Sequence, residues 1–132
     1  MANLKVGPIY TRIGEVLAEH VDGDPVGTLL IAEAGDSWVG GAIFKIAGDR
    51  IIYDEPDEAL LDLITEAWEA EDDDKRWVEL HYRLLDGRFS AKLVYAEEID
   101  PAEESLGRRA RIVAEVFGSN KPIDYTEALM PE

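Results

Sequence analysis

One hairpin constrains the fold of this chain more than any other feature. Asp86-Gly87 is a strong signal for a two-residue type I′ turn between two strands. With this turn, the flanking residues pair in a single register, and every pair on one side is apolar or aromatic. These inner pairs are Leu84 with Phe89, Tyr82 with Ala91, Leu80 with Leu93, and Val78 with Tyr95. The pattern predicts an antiparallel pair of strands with one face against a core.

The first half of the chain carries one helix signal and three strand signals. A helix is predicted over residues 8 to 20, because apolar residues recur there at the spacing of one helix face: Ile9, Ile13, Val16 and Leu17. Apolar runs between residues 27 and 53 are separated by two tight Gly-Asp turns, at Gly35-Asp36 and Gly48-Asp49. Such runs and turns predict three short strands.

Two more helices complete the pattern. The second is predicted over residues 56 to 71, with an apolar face of Leu60, Ile64, Ala67 and Trp68. The third begins at Asp100-Pro101 and ends at Gly118, with an apolar face of Leu106, Ala110, Val113 and Phe117. The element order is therefore α-β-β-β-α-β-β-α. Because the turns between strands are short, we expect one α+β domain over residues 1–132, with an antiparallel sheet of about five strands and helices packed on one face.

Composition excludes several classes of protein. The chain has no cysteine, which rules out disulfides, thiolate zinc sites and cysteine nucleophiles. Neither a signal peptide nor a run of ~18 apolar residues is visible, so we expect a cytoplasmic protein. Acidic residues number 29 against 13 basic ones, for a net charge of −16. A field of this sign repels nucleic acid and anionic membranes and attracts a basic protein.

The acidic charge is concentrated on the second predicted helix. Eleven acidic residues and no Lys or Arg occur from Ile51 to Asp74. Six of the acidic residues follow helical spacing and form what we call the acidic stripe: Glu55, Glu58, Asp62, Glu66, Glu69 and Asp73. Like charges at this spacing destabilise a helix by ~0.2–0.5 kcal/mol per pair. A basic partner would relieve that cost, whereas the alternatives are a solvated surface that favours solubility or adaptation to a high-salt cell.

The outer face of the hairpin is a second candidate for partner binding. Strand alternation places Trp77, Glu79, His81 and Arg83 on this face, joined by Lys92. Trp and Arg are typical of binding hot spots, so we include Trp77, His81 and Arg83 as partner-binding candidates. The more common alternative is a solvated sheet face with Trp77 beneath a loop.

Enzymatic chemistry has no positive signal in the sequence. The two histidines, His20 and His81, lack the i, i+4 spacing of a helical zinc pair. No nucleophile-elbow, Walker or dinucleotide-binding motif is present, and carboxylate pairs carry no information among 29 acids. We therefore predict no catalytic residue, no metal site and no cofactor.

The second half of the chain resembles the YezG-like family of bacterial immunity proteins and antitoxins. The resemblance lies in Trp77 through Leu80, in Asp86-Gly87-Arg88-Phe89, in Tyr95-Ala96-Glu97-Glu98, and in the Arg108-Arg109 helix that ends in Val116-Phe117-Gly118. This chain departs from the family in having Ile112 to Phe117 where members usually carry aromatic residues. The resemblance implies neutralisation of a toxin, often a nuclease.

Three hypotheses for function follow. The first is a non-enzymatic immunity protein or antitoxin that binds and neutralises a basic toxin domain. The second is a general acidic interaction or regulatory domain, which could self-associate. The third is a small enzyme that uses carboxylates and His81. The partner's identity, the binding face and the oligomeric state are not encoded in any motif.

Overall fold

The strands and helices follow one another in the predicted order. The computed structural model describes residues 7–21, 25–35, 37–47, 50–71, 76–86, 88–103, 105–118 and 123–124. The elements are α1 (Gly7–His20), β1 (Leu29–Gly35), β2 (Trp38–Ala47), β3 (Arg50–Asp54), α2 (Glu58–Glu69), β4 (Glu79–Leu85), β5 (Arg88–Val94), a 3-10 turn (Ala96–Glu98), α3 (Ser105–Phe117) and β6 (Ile123–Asp124). The α+β class and the order of the eight predicted elements are confirmed. The 3-10 turn and β6 are additions.

Within the described residues, the sheet has six strands in the order β5-β4-β1-β2-β3-β6. All neighbours are antiparallel except β6, a two-residue strand parallel to β3. The predicted hairpin register is confirmed, since Leu84 lies opposite Phe89 and Glu79 lies opposite Val94. The predicted turn itself includes Gly87, which lies outside the described residues.

Helices cover both faces of the sheet, so the prediction that they pack on one face is wrong. Along β1, Leu30, Ala32 and Ala34 belong to the core beneath α1 and α2. The residues between them, Leu29 and Ile31, pack with Ile112, Val113 and Phe117 of α3 on the other face. The reason lies in β1, whose uninterrupted apolar run is typical of a strand buried on both sides.

Both later helices begin after the predicted start. Asp57 caps α2, and its Oδ1 accepts a hydrogen bond from the Leu60 amide at 2.9 Å, so Pro56 lies outside the helix. A turn precedes α3, in which Asp100 Oδ1 accepts from the Ala102 amide at 2.9 Å. Of the helices in the described ranges, none is both long and apolar enough to cross a membrane.

Candidate functional site

The acidic stripe lies on the outer face of α2. Glu58, Asp62, Glu66 and Glu69 are all exposed there, while the opposite face buries Leu60, Ile64 and Ala67 in the core shared with α1. Glu55 is exposed but precedes the helix, and Asp73 lies outside the described residues. Four of the six predicted stripe residues are therefore brought together on one helix face.

Among the described residues, Arg76 lies near this row, but its Nη2 donates a hydrogen bond to the backbone carbonyl of Glu69 at 3.2 Å and not to the carboxylate. No described Lys, Arg or His forms an ion pair with Glu58, Asp62, Glu66 or Glu69. Other surface acids do have such pairs. Glu15 lies 3.2 Å from Arg12, and Arg111 lies 2.8 Å from Glu103 and 3.1 Å from Glu115. The stripe is thus a local excess of negative charge, whereas Glu15, Glu103 and Glu115 elsewhere on the surface each have an arginine neighbour.

Trp77 is not on the outer face of the hairpin, which corrects its assignment as a contact residue. The side chain is 0% exposed and belongs to the core with Leu80 and Tyr82. Trp68 Nε1 donates a hydrogen bond to the Trp77 carbonyl at 2.8 Å, which ties the end of α2 to this segment. Strand alternation fails here because Trp77 precedes β4, whose pairing begins at Glu79.

In the rest of the predicted hairpin patch, Glu79 is bound to α3, whereas Lys92 is exposed. Glu79 is 2% exposed, and His81 and Arg83 are half-buried. Glu79 Oε2 accepts hydrogen bonds from Arg108 Nη2 at 2.6 Å and Nε at 3.1 Å, and its Oε1 lies 2.6 Å from His81 Nε2. Because a carboxylate can only accept, His81 is the donor in that last contact. Burial alone would raise the pKa of Glu79, but the hydrogen bonds from His81 and Arg108 outweigh it and lower the pKa.

This charged cluster fastens α3 to the sheet. Arg108 holds Glu79 of β4, and Arg109 Nη2 lies 3.3 Å from Glu33 Oε1 of β1. Side chains that hold two elements together in this way are withdrawn from contact with a partner. The geometry therefore favours a structural role for Glu79 and His81. It removes Trp77 and Glu79 from the accessible surface, whereas His81 and Arg83 are half-buried and Lys92 is exposed.

A third surface feature was not identified from the sequence. Trp38, the first residue of β2, is 54% exposed and lines a pocket of about 270 Å³ together with Trp68 and Glu69 of α2. The predicted Gly35-Asp36 turn begins one residue too early, because Gly35 still belongs to β1 and lies opposite Trp38 in the last pair of the β1–β2 ladder. The sequence signal for the pocket was therefore an aromatic residue at the first position after a hairpin turn. The pocket adjoins the C-terminal part of the acidic stripe.

Comparison of the chain with models of protein families finds none that matches, and comparison with curated proteins finds no significant match. The resemblance to the YezG-like family therefore stays a prediction. Among the described residues, no group of three or more His, Asp or Glu side chains is arranged to hold a metal ion.

Proposed function

We propose that this protein binds a basic protein partner through α2 and neutralises it, as an immunity protein or antitoxin does. One observation supports the binding: the exposed carboxylates of Glu58, Asp62, Glu66 and Glu69 lie in a row without ion pairs to described cations. A row of this kind resembles the phosphates that a nuclease binds, and it would accelerate association with a basic surface. The resemblance to YezG-like proteins suggests that the partner is a toxin domain, and we also propose a cytoplasmic location.

The binding step can be tested with two variants of equal charge. The stripe variant carries Glu58→Gln, Asp62→Asn, Glu66→Gln and Glu69→Gln. The control variant carries Glu15→Gln, Glu19→Gln, Asp86→Asn and Glu97→Gln, which are exposed acids outside α2. Each variant loses four carboxylates, so both change the net charge of −16 equally. A partner is captured from lysate of the source cells on the wild-type protein and identified. We expect the stripe variant to bind it with an association rate at least about tenfold slower at low salt, and the control variant to bind nearly as the wild type does.

The neutralisation step requires a test in living cells. The captured partner is expressed in a heterologous host, alone and together with the wild-type protein or the stripe variant. We expect the partner alone to stop growth and the wild-type protein to restore it, with weaker protection by the stripe variant. A captured partner that leaves growth unaffected would instead support a general acidic interaction domain. A partner that is acidic, or that binds both variants equally, would contradict the role of α2.

A further inference from the structure

A half-open pocket lies where the β1–β2 hairpin meets the C-terminal part of α2. We call it the Trp38 pocket, and its walls include Trp38, Trp68, Thr65 and Glu69. Its volume of about 270 Å³ is below the range of roughly 300–1,000 Å³ that is typical of small-molecule sites. A space of this size accommodates a single side chain from another protein.

The indole of Trp38 packs against Gly35 and is also partly open to solvent. The side chain is 54% exposed, and its indole lies so close to Gly35 that a Cβ atom at position 35 would overlap the indole nitrogen. Gly35 thus permits a close contact between the ring and the neighbouring strand. An aromatic ring that is fixed before binding loses little conformational entropy when a partner covers it, which is a property of binding hot spots.

The electrostatics of the Trp38 pocket favour a cation. Glu69 forms part of the wall, and the last turn of α2 contains no basic residue. The C-terminal end of a helix carries partial negative charge, and here the Arg76 guanidinium already donates a hydrogen bond to the Glu69 carbonyl at 3.2 Å. The cation preference of the pocket therefore rests on the Glu69 carboxylate and on the aromatic walls. Indole rings also attract cations through their π faces.

The protein already provides one example of cation recognition beside the Trp38 pocket. The Arg76 guanidinium lies 4.4 Å from the centroid of the Trp68 ring. Arg76 does not line the Trp38 pocket, so that contact leaves the pocket open. Trp38 and Glu69 together offer a second guanidinium or ammonium group an aromatic face and a carboxylate.

We propose that the Trp38 pocket receives a lysine or arginine side chain of the basic partner, which rests on the proposed function. The cation lies against the Trp38 ring beside Glu69, while the acidic stripe contacts the surrounding basic surface. The pocket then supplies specificity, because it selects one side chain in a defined position, and the stripe supplies rapid association.

The cation preference can be tested without the partner. The full chain is titrated with N-acetyl-arginine amide and, separately, with the uncharged N-acetyl-citrulline amide, and the indole N–H resonance of Trp38 is followed by NMR. We expect a saturable shift with the arginine compound, little shift with citrulline, and loss of the arginine effect in Glu69→Gln. Equal shifts with both compounds, or an arginine shift that Glu69→Gln leaves unchanged, would overturn the inference.

A second experiment uses the captured partner. Trp38→Ala removes the ring, whereas Gly35→Ala keeps both tryptophans and displaces the Trp38 indole. Each should weaken binding by roughly tenfold. Ile46→Ala, which removes an exposed apolar side chain elsewhere on β2, is the matched control and should change binding by less than about twofold. Thermal unfolding of each variant checks that the fold is retained.

The two experiments separate the pocket from the proposed function. If the stripe variant loses binding while Trp38→Ala and Gly35→Ala bind as the wild type does, the pocket inference fails and the proposed function stands. If the captured partner is not basic, the proposed function fails. The arginine titration then decides the pocket alone, with saturation supporting a cation site and its absence overturning it.

Discussion

At the scale of single residues, Gly14 permits a close contact between α1 and the sheet. The Tyr82 hydroxyl donates a hydrogen bond to the Tyr10 carbonyl at 2.6 Å, and a Cβ atom at position 14 would lie 2.5 Å from that hydroxyl oxygen. We expect Gly14→Ala to lower the free energy of unfolding by about 1–3 kcal/mol, although Ala favours helix. Gly107→Ala on the exposed side of α3 is the control, because a Cβ atom at position 107 would meet no atom of another part of the protein within 4 Å. This substitution should raise the free energy of unfolding by up to about 1 kcal/mol. Urea denaturation measures the free energy of unfolding of both variants. An equal increase in Gly14→Ala and Gly107→Ala would show that Tyr82 moves aside at no energetic cost.

Glu79 gives a prediction that depends on pH. Glu79→Gln removes the carboxylate that pairs with Arg108, whose side chain is nearly buried. We therefore expect the free energy of unfolding to fall by about 3 kcal/mol near neutral pH. The folded-state pKa of Glu79 lies below the ordinary value of 4.5. Its stabilisation is therefore complete above pH 4.5 and is lost as the pH falls through the lower folded-state pKa.

The difference in stability between wild type and Glu79→Gln should accordingly narrow in acid. Urea denaturation over a series of pH values measures it. Glu33→Gln is the matched control, because Glu33 also pairs with an arginine of α3 but is more exposed, and it should cost less than about 1 kcal/mol. A difference that stays constant into strong acid would contradict the assigned ionisation.

At the scale of elements, the sequence predicted the structure correctly where its pattern of apolar residues fits a single arrangement. The β4–β5 register was predicted correctly because only one alignment separates apolar from polar pairs. In α3 the apolar positions fit two overlapping faces: Ile112 is buried and Ala110 is exposed, although Ala110 was predicted to face the core. Helix spacing also does not show which side of a sheet a helix covers. That information lay in β1, whose continuous apolar run requires cover on both faces.

The candidate site was partly predictable for the same reason. Helical spacing alone places Glu58, Asp62, Glu66 and Glu69 together, so most of the acidic stripe followed from the sequence. The Trp38 pocket did not, because it joins two elements that are distant along the chain. Strand alternation misplaced Trp77, since alternation holds only where the ladder is formed.

The acidic stripe should cost α2 stability. Asp62 lies one turn from both Glu58 and Glu66, so Asp62→Lys replaces two repulsive pairs with two attractive ones. We expect Asp62→Lys to raise the free energy of unfolding by about 0.5–1 kcal/mol at low salt, and we expect this increase to decline as the salt concentration rises. Urea denaturation at two salt concentrations tests this, with Asp86→Lys as an exposed control outside the helices. A loss of stability in Asp62→Lys would show that the stripe is not repulsive.

At the scale of the whole molecule, helix cover on both sheet faces limits where a partner can bind. Because α1 and α2 cover one face and α3 covers the other, the interior of the sheet offers little accessible surface. The outer face of α2 and the adjoining end of the β1–β2 hairpin stay exposed. The unpaired carboxylates and Trp38 therefore lie on the same side of the protein.

The response to salt separates a binding surface from adaptation to a salty cell. At a net charge of −16, repulsion among surface charges opposes the folded state, and salt screens it over about 8 Å at 0.15 M and about 3 Å at 1 M. We expect the free energy of unfolding to rise with KCl at first and to level off well below 1 M. The stripe variant should show a smaller rise than the control variant, because its like charges are no longer adjacent. If the protein is instead unfolded at low salt and its free energy of unfolding still rises in molar KCl, the acidity is an adaptation to high salt. An early plateau excludes salt adaptation and leaves solubility or a basic partner as the benefit that offsets the repulsion along α2, and the binding of the stripe variant decides between those two.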